Sequence, residues 1–125
     1  ISIFLSVFNV HCQRVPLPGK VISSFYNSGK FLAAFNHKAS IDNEQTSILF
    51  ETDRGNRYKV KQIAGLIARR ILNYMEPEMI VDKGQRLGFI RFGSRVDIIV
   101  PSNFKINVSL GDIVQGNYSI MGEFE

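Results

Sequence analysis

The chain has 125 residues, 45% of them apolar, which suffices for one domain around one buried core and excludes disorder along the whole length. No apolar run approaches the ~18 residues of a membrane-spanning helix, and a single cysteine, Cys12, with two histidines, His11 and His37, excludes an internal disulfide framework and a Cys- or His-rich metal centre. The net charge of +4 favours an anionic partner, nucleic acid or an acidic membrane surface.

The first ten residues, ISIFLSVFNV, are apolar on both alternating sets and predict a strand buried on two sides. Because the chain opens on Ile1 inside this pattern, it is expected to continue upstream. Pro16, Pro18 and Gly19 break the ladder, and Lys20 to Tyr26 is extended again. Asn27-Ser28-Gly29 is a turn, Phe31 to Phe35 is short and apolar, and the polar stretch His37 to Ser47 reads as a loop. Ile48 to Thr52 and Tyr58 to Gln62 predict a hairpin through Asp53-Arg54-Gly55-Asn56. Ile63 to Leu72 fits helical spacing slightly better than strand alternation. Leu87 to Val100 alternates, with Ile90, Phe92, Val96, Ile98 and Val100 on one face and Arg91, Arg95 and Asp97 opposite. Ile106, Val108 and Leu110 alternate in turn before a Gly111-Asp112 turn. A weak echo links Glu78 to Gly84 with Gly111 to Gly116, each an Ile-Val pair between turns.

Ser94, preceded by Gly93, stands where the Leu87 to Val100 face needs an apolar residue. A buried hydroxyl must find a hydrogen-bond partner. One reading is therefore a satisfied core serine beside a bulge glycine. The other is a nucleophile that attacks the neighbouring Gly93 carbonyl once a base takes its proton. His11 has two readings as well, a strand-end cap or a proton carrier. The arginines Arg69, Arg70, Arg86, Arg91 and Arg95 fit solvated strand faces as well as lipid phosphates. No single-strand or RNA-binding pattern of basic and aromatic residues occurs, which argues against nucleic acid, and no phosphate-cradling glycine loop supports a nucleotide. Cys12 reads as a small buried hydrophobe and His37 as a surface residue.

KGQRLGFIRFGSRVDIIVP, Lys83 to Pro101, resembles the processing region of the phosphatidylserine decarboxylase family, and FLSVFNVHCQRVPLPGKV, Phe4 to Val21, resembles its histidine segment. GKFLAAF (Gly29 to Phe35) and QIAGLIARRI (Gln62 to Ile71) are similar to the short prokaryotic members. The four motifs occur in family order over nearly the whole chain.

The resemblance implies a mostly β, compact single domain of β-sandwich or barrel-sandwich-like form with few short helices, in which Ile63 to Leu72 is a strand. It implies pyruvoyl-dependent decarboxylation of phosphatidylserine to phosphatidylethanolamine, with no metal. Ser94 would cut the chain after Gly93 and become the covalent pyruvoyl group. The products, 1–93 and 94–125, would remain together as a heterodimer. His11 would be the acid/base, with Arg14 at the second position of the family's His-x-x-His pair. The family's aspartate motif, which orients its histidine, is absent here and expected before Ile1, as is any hydrophobic anchor. The partner surface would be an anionic membrane, engaged peripherally on the cytoplasmic face, with homo-oligomerisation left open. The competing reading is a non-catalytic barrel-sandwich carrier or adaptor, which needs a lysine on a tight hairpin. Lys83 precedes Gly84 but lies in the wrong place for that presentation.

Overall fold

The computed structural model describes residues 1–5, 12–29, 43–65, 71–90 and 94–125. In chain order the strands are β1 (Ser2–Leu5), β2 (Cys12–Arg14), β3 (Gly19–Asn27), β4 (Gln45–Thr52), β5 (Arg57–Ile63), β6 (Ile71–Asn73), β7 (Ile80–Val81), β8 (Arg86–Ile90), β9 (Ser94–Ile99), β10 (Phe104–Ile106) and β11 (Gly122–Phe124). A six-stranded sheet runs β1-β9-β5-β4-β3-β7, a three-stranded sheet runs β2-β8-β6, and β10 and β11 pair as a ribbon. The described pairings are antiparallel. The mostly β, single-domain expectation holds, without a closed barrel. Among the described residues there is no helix, so the few short helices expected are not found there. None of these residues therefore forms a helix long and apolar enough to cross a membrane.

The β4–β5 hairpin shows how the local sequence sets the ladder. Gly55 takes φ +83°, a left-handed conformation that glycine adopts at little cost. Its N–H donates to the Thr52 carbonyl at 2.9 Å, and Thr52 N–H donates to the Asn56 carbonyl at 2.7 Å. The register then pairs Phe50 with Tyr58, Ile48 with Val60 and Thr46 with Gln62. Paired residues share a face, so this hairpin turns one continuous stripe inward.

That stripe is the centre of the core, where Ile48, Phe50, Tyr58, Val60 and Val96 pack with Val15, Val21, Met75, Val81, Leu87 and Ile90. Residues from both sheets thus meet in one cluster. Phe50 stacks on Tyr58 with ring centroids 5.1 Å apart. Phe124 of the β10–β11 ribbon lies 6.4 Å from Tyr58 and packs edge-on to Phe104 at 5.0 Å. Fully burying a side chain of this size contributes ~1.5–3 kcal/mol, which makes the stripe the main source of cohesion between the layers.

Several expectations are corrected. β1 is the edge strand of its sheet, and Phe4 is 51% exposed, so Ile1 to Leu5 is not buried on two sides. The polar stretch expected to be loop as far as Ser47 is already strand from Gln45, with Asn43, Gln45 and Thr46 buried. Leu87 to Val100 is not one strand: β8 lies in the three-stranded sheet and β9 in the six-stranded one. Ile63 to Leu72 is not one continuous strand either. β5 ends at Ile63, Ala64 and Gly65 are irregular, and β6 begins at Ile71. Of the two echoing segments, Ile80–Val81 is strand β7, whereas Ile113 and Val114 are irregular. Phe31 to Phe35 and His37 lie outside the described residues.

Candidate active site

Ser94 heads β9, a strand flanked by β1 on one side and β5 on the other. It pairs with Leu5, and its neighbours in the register are Phe4 opposite Arg95 and Ile63 opposite Arg95. Alternation places Ser94 on the same face as Val96, which pairs with Gln62 of the inward stripe. Ser94 is fully buried, at 0% exposure. The sequence expectation of an inward serine on an apolar face is met.

Gly93 and His11 lie outside the described residues, but the residues next to them are placed. Cys12, which follows His11, pairs with Phe89 of β8, and Leu5 pairs with Ser94. Leu5 and Ser94 are thus partners in one sheet, as Cys12 and Phe89 are in the other. Arg14 directs its guanidinium to the Gly84 carbonyl at 3.2 Å, a contact that ties β2 to the turn before β8. Cys12 is half-buried, not fully buried as expected.

A second set of buried polar groups lies between the sheets on the face that Ser94 shares. Gln62 is 0% exposed. Its Nε2 donates to Gln13 Oε1 at 2.9 Å and to the Leu72 carbonyl at 3.1 Å, while its Oε1 accepts from Thr46 Oγ1 at 2.7 Å. Gly88 makes room for this carboxamide: a Cβ there would overlap both the Gln62 amide and the Leu72 carbonyl. Nearby, Asn43 Nδ2 donates to the Ala64 carbonyl at 2.6 Å. Sequence reasoning missed this network. The available signal was Gln62 following Tyr58 and Val60 at period two, a polar residue on an apolar face just like Ser94.

On the opposite face of β9, Arg95 and Asp97 are buried, at 5% and 9% exposure. Their Nε and Oδ1 lie 3.0 Å apart, and Arg95 Nη2 donates to Asp97 Oδ2 at 3.3 Å. The Nε–Oδ1 approach has poor hydrogen-bond geometry, so its attraction is chiefly that of an ion pair. The guanidinium also sits 5.8 Å from the centre of the Phe4 ring. Arg95 therefore belongs to a buried pair and is neither on a solvated face nor at a lipid phosphate. Arg86 is exposed, and Arg69, Arg70 and Arg91 lie outside the described residues.

Two tyrosines have raised pKa values: Tyr58 because burial penalises its phenolate, and Tyr26 because it donates to the Glu44 carboxylate. Tyr58, opposite Phe50, lies toward the other end of β5, and Tyr26 lies on β3, separated from β9 by β4 and β5. Among the described residues no cluster of His, Cys, Asp and Glu could hold a metal. Lys83 is exposed, but the strands around it do not form a hairpin with each other: β7 pairs with β3, and β8 with β2 and β6. That removes the presentation a carrier lysine needs.

A family profile described as phosphatidylserine decarboxylase matches residues 1–122. The chain belongs to the phosphatidylserine decarboxylase family. Curated relatives carry the name phosphatidylserine decarboxylase proenzyme. That of Syntrophotalea carbinolica is 52% identical over 122 residues, covering 98% of this chain and 57% of the relative. That of Geotalea uraniireducens is 48% identical, with the same coverage of 98% and 57%. That of Rickettsia akari is 48% identical over 124 residues, covering 99% of this chain and 54% of the relative. The chain thus spans a little over half the length of the family members it matches. No solved structure matches it.

Proposed function

We propose that the protein carrying this chain is a phosphatidylserine decarboxylase that makes its own pyruvoyl group by cutting itself between Gly93 and Ser94. The observation that carries this reading is the complete burial of Ser94 at the head of β9, in a family whose relatives are named proenzymes.

The proposed cut begins with Ser94 Oγ bonding to the Gly93 carbonyl carbon as His11 takes the hydroxyl proton. The C–N bond breaks and an ester to Oγ replaces the peptide. Loss of the Ser94 α-proton then expels the Gly93 carboxylate and leaves a carbon–carbon double bond. Uptake of one water and release of ammonia complete the pyruvoyl group, with 1–93 and 94–125 as products.

The burial of Ser94 gives a reason for elimination over simple hydrolysis. Hydrolysis would leave an ammonium group at a fully buried position, which is costly unless paired. A neutral carbonyl of similar size fits the same position. The pyruvoyl group, once formed, supplies a ketone that accepts the electron pair as carbon dioxide leaves the substrate. The chain's part is then to hold the site dry through the inward stripe, to orient the substrate, and through His11 to return a proton to the substrate carbon.

The substrate is a lipid, so the headgroup must be met at a bilayer surface. Exposed Lys83 and Arg86 and the net charge of +4 support peripheral, electrostatic attachment to an anionic membrane, here assigned to the cytoplasmic face. Full-length protein mixed with phosphatidylserine vesicles should release carbon dioxide and phosphatidylethanolamine, and borohydride reduction of the ketone should abolish both. Processed protein that releases neither would overturn the assignment.

A further inference from the structure

Gln62 bonds the Ser94-bearing sheet directly to the strand after His11. Its strand, β5, lies beside β9, with Gln62 opposite Val96 and Ser94 two residues along on the same face. Its Nε2 reaches across the layer to Gln13 Oε1, two residues after His11, and to the Leu72 carbonyl of β6. Its Oε1 accepts from Thr46 Oγ1, and turning the carboxamide over would set that oxygen against the Leu72 carbonyl, which cannot donate. Gly88, opposite Gln13 in the β2–β8 ladder, lets the two layers approach closely enough for these bonds.

A buried carboxamide is a costly way to join two sheets. An apolar pair of the same volume would do so without desolvating any polar group. What the carboxamide adds is direction: one distance and one register between β2 and β5. Bulky apolar contacts tolerate small slips, whereas a 2.9 Å hydrogen bond does not.

We propose that Gln62 is a positioning residue for self-cleavage, fixing β2, and with it the His11 end of the chain, relative to Ser94. This rests on the reading of Gly93-Ser94 as the cut site. Gln62 touches no reacting atom and acts through Gln13.

The test uses the full-length chain, synthesised without cells and followed on denaturing gels for the half-time of cleavage. Gln62→Leu and Gln13→Leu should each slow cleavage by roughly 10²-fold, the loss that a misplacement of about 1 Å can cause. Because both act through one bond, the double variant should cut no more slowly than the slower single one. Gln62→Glu should cut slowly at neutral pH, and its half-time should approach that of the wild type measured at the same pH as the pH falls, because a protonated carboxyl can again donate to Gln13 Oε1. Thermal unfolding of each variant in a Ser94→Ala background reports folding separately, and if the leucine variant does not fold the Gln62→Glu series decides. Folded variants that cut at the wild-type half-time, losses that multiply in the double variant, or no rescue of Gln62→Glu at low pH would overturn the proposal while leaving the cut site intact. A wild-type chain that never cuts at 93–94 would overturn both.

Discussion

Leu5 stands opposite Ser94 in the β1–β9 ladder, so the residue at the expected break is held by a strand from the other product. On its far side β9 pairs with β5 from Lys59 opposite Ile99 to Ile63 opposite Arg95. β9 is therefore interior to a sheet whose other strands all precede the proposed cut site.

The products should accordingly stay together. After cleavage, 1–93 and 94–125 should co-elute in size-exclusion chromatography under native conditions and separate only in denaturant. The aromatic contact of Phe124 with Tyr58 adds to the ladder on both sides. Spontaneous separation in buffer would show that β9 is not paired as described.

His11→Ala should slow self-cleavage, turnover or both by roughly 10²-fold, within the range that a positioned general acid–base contributes. The comparison is between purified full-length variants of equal thermal stability. Unchanged rates in both steps would return His11 to a structural role.

The sequence made the β4–β5 hairpin, β3 and the inward serine legible, because turn chemistry and period-two alternation are local. Alternation says nothing about which sheet a strand joins, so the pattern from Leu87 to Val100 reads through residues 91–93 although β8 and β9 lie in different layers. Nor does it show a strand's place in a sheet: β1 is apolar on both sets yet lies at an edge. Gln45 and Thr46 read as loop because polar residues suggest exposure, whereas hydrogen bonding makes their burial tolerable. The sequence places Arg95 and Asp97 correctly opposite the apolar face, but Arg95 reads as solvated there, whereas mutual pairing two residues apart on one strand lets both be buried.

That pair supports a stability prediction. Asp97→Ala, in an uncut Ser94→Ala background, should cost about 3 kcal/mol in denaturant unfolding, because it strands a buried guanidinium beside Phe4. Replacing both partners by apolar residues of similar size should recover most of the loss. A single-variant cost under about 0.5 kcal/mol would mean that the pair is solvated.

Membrane attachment should depend on salt. Binding to vesicles containing phosphatidylserine should fall steeply as the screening length drops from ~8 Å at physiological salt to ~3 Å at 1 M, and neutral vesicles should bind poorly. Each basic residue near an anionic surface contributes ~1 kcal/mol, which screening removes. Equal, salt-insensitive binding to both vesicle types would point to apolar insertion.

The mass of the denatured full-length protein reads out the conversion of Ser94. Two species cut between Gly93 and Ser94 are expected. The smaller should have lost ammonia relative to a hydrolysed fragment and should carry a ketone that hydrazine labels, and Ser94→Ala should give one uncut chain. A single intact mass for the active wild-type protein, or cleavage at this bond in Ser94→Ala, would contradict it.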